Sequence, residues 1–344
     1  MPAGDPIDVY TISNGRGLGL RVLNYGGIIA SLSVPDRDGR VADVVLGHDS
    51  LDHYIRDTSY FGAIIGRVVN RISGSRFIVD GKEYRLAANR PPNHLHGGLV
   101  GFDRVVWRAT PFHEGRTDAG LNLEYRSPDG EEGYPGNLDV KVRYTVADTN
   151  ELIVDFFAIS DQPTPVNLTQ HSYFNLAGHN SGDILGHGLR INADEFTPMR
   201  DDFTPTGTIS PVAGTPFDFR AITAIGARIG ADDEQLRIGA GYDHNFVLTR
   251  AGPGLTHAAH LVEPGCGRTL DVYTTEPGLQ LYAGNFIEGV VPGKGGRRYG
   301  PRSGLSLETQ RFPDAPNHPN FPSIILRPGH EYRSRTVFRF GVTG

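Results

Sequence analysis

Two short stretches of this chain carry groups able to move protons. Leu305-Ser306-Leu307-Glu308-Thr309-Gln310 reads as a strand, and Glu308 is its lone carboxylate among apolar and small neighbours. A carboxylate in such a strand costs free energy unless it is paired or has a chemical task. Far upstream, His171 lies in a run without a charged residue from Pro163 to Asn175. One carboxylate and one imidazole facing a common cleft are enough to move two protons in one reaction.

Further positions offer donors and acceptors. His94-Leu95-His96 places two imidazoles on one face of an extended segment. No carboxylate follows within the next several residues, so the usual His-x-His metal pattern is incomplete. His94 fits a hydrogen-bonded structural role, whereas His96 precedes Gly97-Gly98, where backbone can approach a ligand. Asn70-Arg71 is either a strand-end surface pair or a fork of donors for hydroxyl oxygens. Asp243 is either a turn former or a ligand in Gly241-Tyr242-Asp243-His244-Asn245. Gln280 is either a satisfied core amide or a sugar ligand.

The elements around these residues read as strands. Val140, Val142, Tyr144 and Val146 alternate with polar residues, and Asp148-Thr149-Asn150 turns the chain into Leu152–Ile159, a hairpin. A second hairpin is expected between Thr269–Thr274 and Leu279–Ala283, and a third between Ser323–Leu326 and Tyr332–Phe340. Further strands are expected at Gly19–Leu23, Ile28–Val34, Val41–Leu46, Arg76–Val79, Val105–Ala109, Leu121–Tyr125 and Phe246–Leu248. Helical signal is confined to Ser50–Ile55 and Ala221–Ile229. Many short strands between Gly- and Pro-rich turns imply a sandwich or barrel. The segment Gly289–Gly304 reads as a mobile surface loop; it lacks the spacing of a phosphate-cradling loop.

Composition sets outer bounds. The 344 residues include 45 Gly and 24 Pro, and no compositional break divides them, so one domain over 1–344 is expected. A net charge of -6 offers no footprint for nucleic acid. Cys266 is the only cysteine, which excludes an intramolecular disulfide and a cysteine zinc cluster. No apolar run is long enough to span a membrane, and Met1–Pro6 lacks the basic and apolar regions of a secretory signal. A cytoplasmic protein is the expectation. Asn167-Leu168-Thr169 matches a glycosylation acceptor, read as chance.

Several long motifs occur in order: Gly66-Arg67-Val68-Val69-Asn70-Arg71-Ile72, Asn93 through Gly98 with Gly101-Phe102-Asp103, Asn167 through Gly178, Thr215 through Arg220, Gly241 through Asn245, and Leu307 through Pro322. With these the chain resembles the aldose 1-epimerase (galactose mutarotase) family over nearly its whole length. The resemblance implies an all-β fold, a large and mostly antiparallel β-sandwich with a few short helices. It implies no metal and no organic cofactor, and a small free aldose as substrate, with the protein a monomer or homodimer. It implies Glu308 as catalytic base and His171 as acid, with Glu308 ionised and His171 protonated at the start. It also implies Asn70, Arg71, His96, Tyr173, Asp243 and Gln280 as sugar contacts. Three other activities stay open at this level. A glycoside hydrolase would use Glu308 and Asp243 as its carboxylate pair. A carbohydrate-binding module would need exposed aromatic platforms, and Trp107 is the single tryptophan. A sugar-phosphate epimerase would need extra cations at the pocket, for which Arg297-Arg298 are candidates.

Overall fold

A computed structural model describes residues 6–115 and 118–343. Met1–Asp5, most of the stretch read above for a signal, lies outside them. The described chain is mostly β and antiparallel. One sheet has nine strands, another six, and a four-stranded sheet is built from Val9–Ser13, Gly19–Leu23, Ile29–Pro35 and Val41–Asp43.

The nine-stranded sheet is centred on long alternating strands. Leu138–Ala147 pairs with Glu151–Ser160, the expected hairpin, and Tyr332–Val342 continues the sheet on the far side. The six-stranded sheet runs in the order Tyr173–Phe174, Leu305–Gln310, Gly278–Tyr282, Asp243–Leu248, Ala193–Thr197, Ser210–Pro211. Side chains alternate across a strand. Leu305 and Leu307 therefore share one face with each other, and Ser306 and Glu308 share the opposite one. Leu279, Leu281, Leu305 and Leu307 join Val142, Val154, Phe156, Leu270, Val272, Phe338 and Phe340 in one buried cluster between the sheets. Each such fully buried side chain contributes roughly 1.5–3 kcal/mol. The same alternation that buries the leucines turns Ser306 and Glu308 away from the core.

Two expected hairpins do not form. Arg268–Thr274 belongs to the nine-stranded sheet and Gly278–Tyr282 to the six-stranded one, so Glu276-Pro277-Gly278 carries the chain between sheets. Ile325–Leu326 pairs with Thr164–Pro165, because Tyr332–Val342 already has partners on both edges, Glu151–Ser160 and Arg268–Thr274. Turn chemistry signals a reversal of the chain, not the strand it will pair with. The strand expected at Val105–Ala109 begins later, as Arg108–Glu114.

Helix Leu51–Arg56 forms where expected, with the Ser50 hydroxyl accepting from the His53 amide. Ala221–Ile229 instead holds a short strand and a single 3-10 turn. An unexpected helix, Glu234–Gly239, starts where the Asp233 carboxylate accepts the Gln235 and Leu236 amides. Among the described residues no helix is long and apolar enough to cross a membrane. Asn167 is fully buried and its amide bonds both the N–H and the carbonyl of Arg311, so it is closed to glycosylation.

Candidate active site

The polar side of the six-stranded sheet floors a cleft of about 570 Å³. Its lining includes Asn70, Arg71, His96, His171, Tyr173, Asp243 and Glu308, residues far apart in sequence and all expected at the site. Gln280 is absent from the lining. It is the cross-strand partner of Glu308, and its Nε2 donates to Asp243 Oδ1 at 2.7 Å. It thereby orients Asp243 from behind. Asp243 opens a strand rather than sitting in a turn; the tight conformation falls on Gly241, at φ +128°.

Glu308 and His171 meet at the floor. His171 Nε2 lies 3.5 Å from Glu308 Oε1, and each side chain is 3% exposed. The second Glu308 oxygen, Oε2, has no hydrogen-bond partner among the described residues. Burial raises the Glu308 carboxyl well above its ordinary range; the Asp243 carboxylate adds to the rise and Arg71 opposes it. Burial also pushes His171 down to about 4. Desolvation acts on both groups in the sense that favours neutral forms. Desolvation thus favours a neutral carboxyl facing a neutral imidazole, with the proton the two groups can exchange on Glu308. This differs from the ionised Glu308 and protonated His171 expected for the start of the reaction.

The His171 ring is held between two tyrosines. Tyr173 stacks on it at 5.0 Å and 28°, and Tyr60 at 6.0 Å and 27°. Tyr60 also meets His96 edge-on at 4.8 Å.

His96 and Asn70 support each other in left-handed backbone, at φ +54° and +65°. The His96 amide donates to the Asn70 carbonyl and the Asn70 amide donates to His96 Nδ1, both at 3.1 Å. Such non-glycine conformations cost about 1–3 kcal/mol each and persist where surroundings enforce them. The turn needs glycine next: a Cβ on Gly97 would stand 1.8 Å from the Gly66 carbonyl oxygen. His94 turns away from the site. Its Nδ1 lies 2.7 Å from the Ala87 carbonyl and its Nε2 2.7 Å from the Tyr134 hydroxyl, a fully partnered structural imidazole.

His96, His171 and Glu308 bring one potential ligand atom each to within 4.8 Å of one another, a donor set able to hold a divalent cation. The hydrogen bonds argue otherwise. Burial keeps His96 neutral, its Nδ1 lone pair is taken by the Asn70 amide, and its single proton must then sit on Nε2. Neither nitrogen presents a free lone pair to a metal. The same Nε2–H is a ready donor to a hydroxyl oxygen.

Arg71 and Asp243 are half-buried groups of opposite sign, each moderating the other's shift toward the neutral form. The Arg71 guanidinium sits over the Phe203 ring at 4.6 Å. Tyr60, Arg90, Phe203, Tyr282 and Phe286 also line the cleft and were not anticipated. Arg297 and Arg298 are exposed and outside the lining. Trp107 is buried against Phe102, so it forms no exposed platform.

The segment Gly289–Gly304 is pinned at its centre rather than free. Lys294 is buried, and its Nζ donates to Asp43 Oδ2 at 2.6 Å and to the Val45 carbonyl at 2.7 Å. His48 Nδ1 meets the Pro292 carbonyl at 2.8 Å. These contacts seat Gly289, Val290 and Val291 on the rim of the cleft.

A family model described as aldose 1-epimerase matches residues 8–339. The galactose mutarotase of Rattus norvegicus is 47% identical over 325 residues, covering 94% of this chain and 92% of that protein. The aldose 1-epimerase of Escherichia coli (strain K12) is 39% identical over 341 residues, covering 98% and 96%. Among solved structures, the aldose epimerase homologue from C. elegans superposes with a TM-score of 0.89 at 32% identity, covering 98% of this chain and all of that one.

Proposed function

The chain belongs to the aldose 1-epimerase family and catalyses the interconversion of α and β anomers of aldoses such as galactose, and on that premise we propose that Glu308 is the base and His171 the acid of the reaction. The opposition of these two groups across 3.5 Å, sealed from solvent at the cleft floor, carries the reading.

The chemistry needs one proton taken and one given. One proton passes from Glu308 to His171 to make the reactive pair. Glu308 then removes the proton of the C1 hydroxyl as His171 protonates the ring oxygen. The C1–ring-oxygen bond breaks, its electron pair stays with the ring oxygen, and C1 becomes an aldehyde. The C1 end rotates, and the ring closes on the other face with the two roles reversed. The sum of protons on the pair and the sugar never changes. Each direct transfer contributes roughly 10²–10⁴-fold, and the remainder is positioning. Arg71 and the His96 Nε2–H act as donors to sugar hydroxyls, Asp243 as acceptor, held by Gln280. Asn70 and Tyr173 complete the contact. Proton transfer alone suffices for this reaction, so no metal or organic cofactor enters it.

Every residue assigned here comes from one chain between Asn70 and Glu308, so a single unit over 1–344 can act as a monomer or within a homodimer. A cytoplasmic setting fits a chain whose only thiol, Cys266, is unpaired.

Proton NMR of the anomeric signals tests the reading. Free galactose and glucose should equilibrate faster with the protein, while their methyl glycosides, which lack the C1 hydroxyl proton, stay unchanged. Methanol release from a glycoside would point instead to hydrolysis by Glu308 and Asp243.

A further inference from the structure

The two nitrogens of His171 have different neighbours. Nε2 faces Glu308. Nδ1 lies 3.2 Å from the Ser306 hydroxyl oxygen, inside the protein. A serine hydroxyl has one proton to donate. Ser306 gives its proton to the Ser172 carbonyl at 3.1 Å. Its oxygen therefore meets His171 as an acceptor, and Nδ1 must carry a hydrogen. Otherwise two lone pairs would face each other where all three residues are buried.

We propose that Ser306 is a positioning residue that locks neutral His171 in the Nδ1–H tautomer and so reserves Nε2 for the proton exchanged with the sugar. This rests on His171 being the acid. An imidazole with its only proton on Nε2 has no lone pair at that nitrogen and cannot accept a second proton there. Ring closure, in which His171 must take a proton back, would stall in that tautomer. Ser306 precedes Glu308 by two residues on the same strand, so the base and the group that orients the acid share one face. Its cross-strand neighbours are Tyr173 and Tyr282. A carboxylate behind the ring would also fix the tautomer, but its charge would hold His171 as imidazolium and trap the shared proton there. A hydroxyl fixes orientation and leaves the proton free to move between His171 and Glu308.

The test is nitrogen NMR of protein labelled with ¹⁵N-histidine at neutral pH, the His171 signals assigned by their loss in His171→Asn. The wild-type protein should show a protonated Nδ1 and an unprotonated Nε2. A neutral His171 with its proton on Nε2 overturns the proposal, whether or not any Ser306 variant folds. Ser306→Ala should give a mixture of tautomers, with kcat lower by roughly threefold to tenfold, the loss of about one net hydrogen bond, and KM within twofold. Ser306→Thr keeps the hydroxyl and should restore the Nδ1–H signal. An Ala variant with wild-type tautomer and kcat also overturns the proposal. Failure of the acid assignment reads differently: His171→Asn would then keep its turnover while the tautomer of the wild-type protein stood as stated.

Discussion

Nε2 of His171 and Oε1 of Glu308 stand 3.5 Å apart at the floor of the cleft, each side chain almost wholly buried. Burial pushes His171 down and Glu308 up, the reverse of what an exposed ion pair would show. A pair tuned in this way holds one proton over a wide pH range and can give it to either partner.

The pH profile should reflect that single proton. As pH falls toward about 4, His171 gains a proton while Glu308 keeps its own, and the base is lost. As pH rises through the elevated value of Glu308, the pair loses the proton its members exchange, and the acid is lost. The plot of kcat/KM should therefore be a bell, its acid limb near pH 4 and its alkaline limb set by the raised Glu308 carboxyl, reporting values that belong to the pair. An acid limb centred near 6.5, the ordinary imidazole value, would show that burial does not set the proton count.

Arg71→Met and Asp243→Asn should act on binding. Each removes a charge-assisted hydrogen bond worth roughly 1.5–3 kcal/mol, so KM should rise about tenfold to a hundredfold. Steady-state kinetics on galactose checks this. KM within twofold of wild type in both variants would remove these residues from the sugar contacts.

Activity should survive exhaustive treatment with EDTA. His96 is neutral with Nδ1 bonded to the Asn70 amide, so it brings no free lone pair to the donor set it forms with His171 and Glu308. Loss of turnover on chelation, restored by zinc or iron, would contradict the proton-only mechanism.

Lys294→Met should weaken both the fold and the rim of the cleft. It leaves the half-buried Asp43 without its cation at the edge of the core, a change that costs less than the roughly 3 kcal/mol lost when a fully buried pair loses one member. Urea unfolding measures the loss, and KM should rise as Gly289–Val291 loosen. Adding Asp43→Asn should recover part of the stability. Unchanged stability in the single variant would mean that the segment is not pinned there.

The two groups at the floor of the candidate site were legible because of contrast. Glu308 is the one charge in an alternating strand, and His171 the one imidazole in a long uncharged run; physics demands a reason for each. Other parts left no such mark. Tyr60 and Phe203 reach the cleft from connecting segments at φ +60° and +65°, where no periodicity announces a side chain's direction. Helix Glu234–Gly239 is too short to show a repeat, and only the Asp233 cap marked it. Gln280 was recognised as unusual in an apolar strand, but which partner it serves depends on the register that sets it beside Glu308 and Asn245. The two hairpins that do not form show the same limit, since pairing between distant strands is decided by which edges remain open.

Glu308→Gln tests the central claim most directly. The amide nearly matches the carboxyl in shape and keeps the strand's packing, but it cannot take a proton from the C1 hydroxyl. Crystalline α-galactose dissolved with purified, folded variant should approach its equilibrium optical rotation at least about a hundredfold more slowly per enzyme molecule than with the wild-type protein, the lower bound for loss of a general base. A variant that keeps more than about a tenth of the wild-type rate would show that Glu308 is not the base.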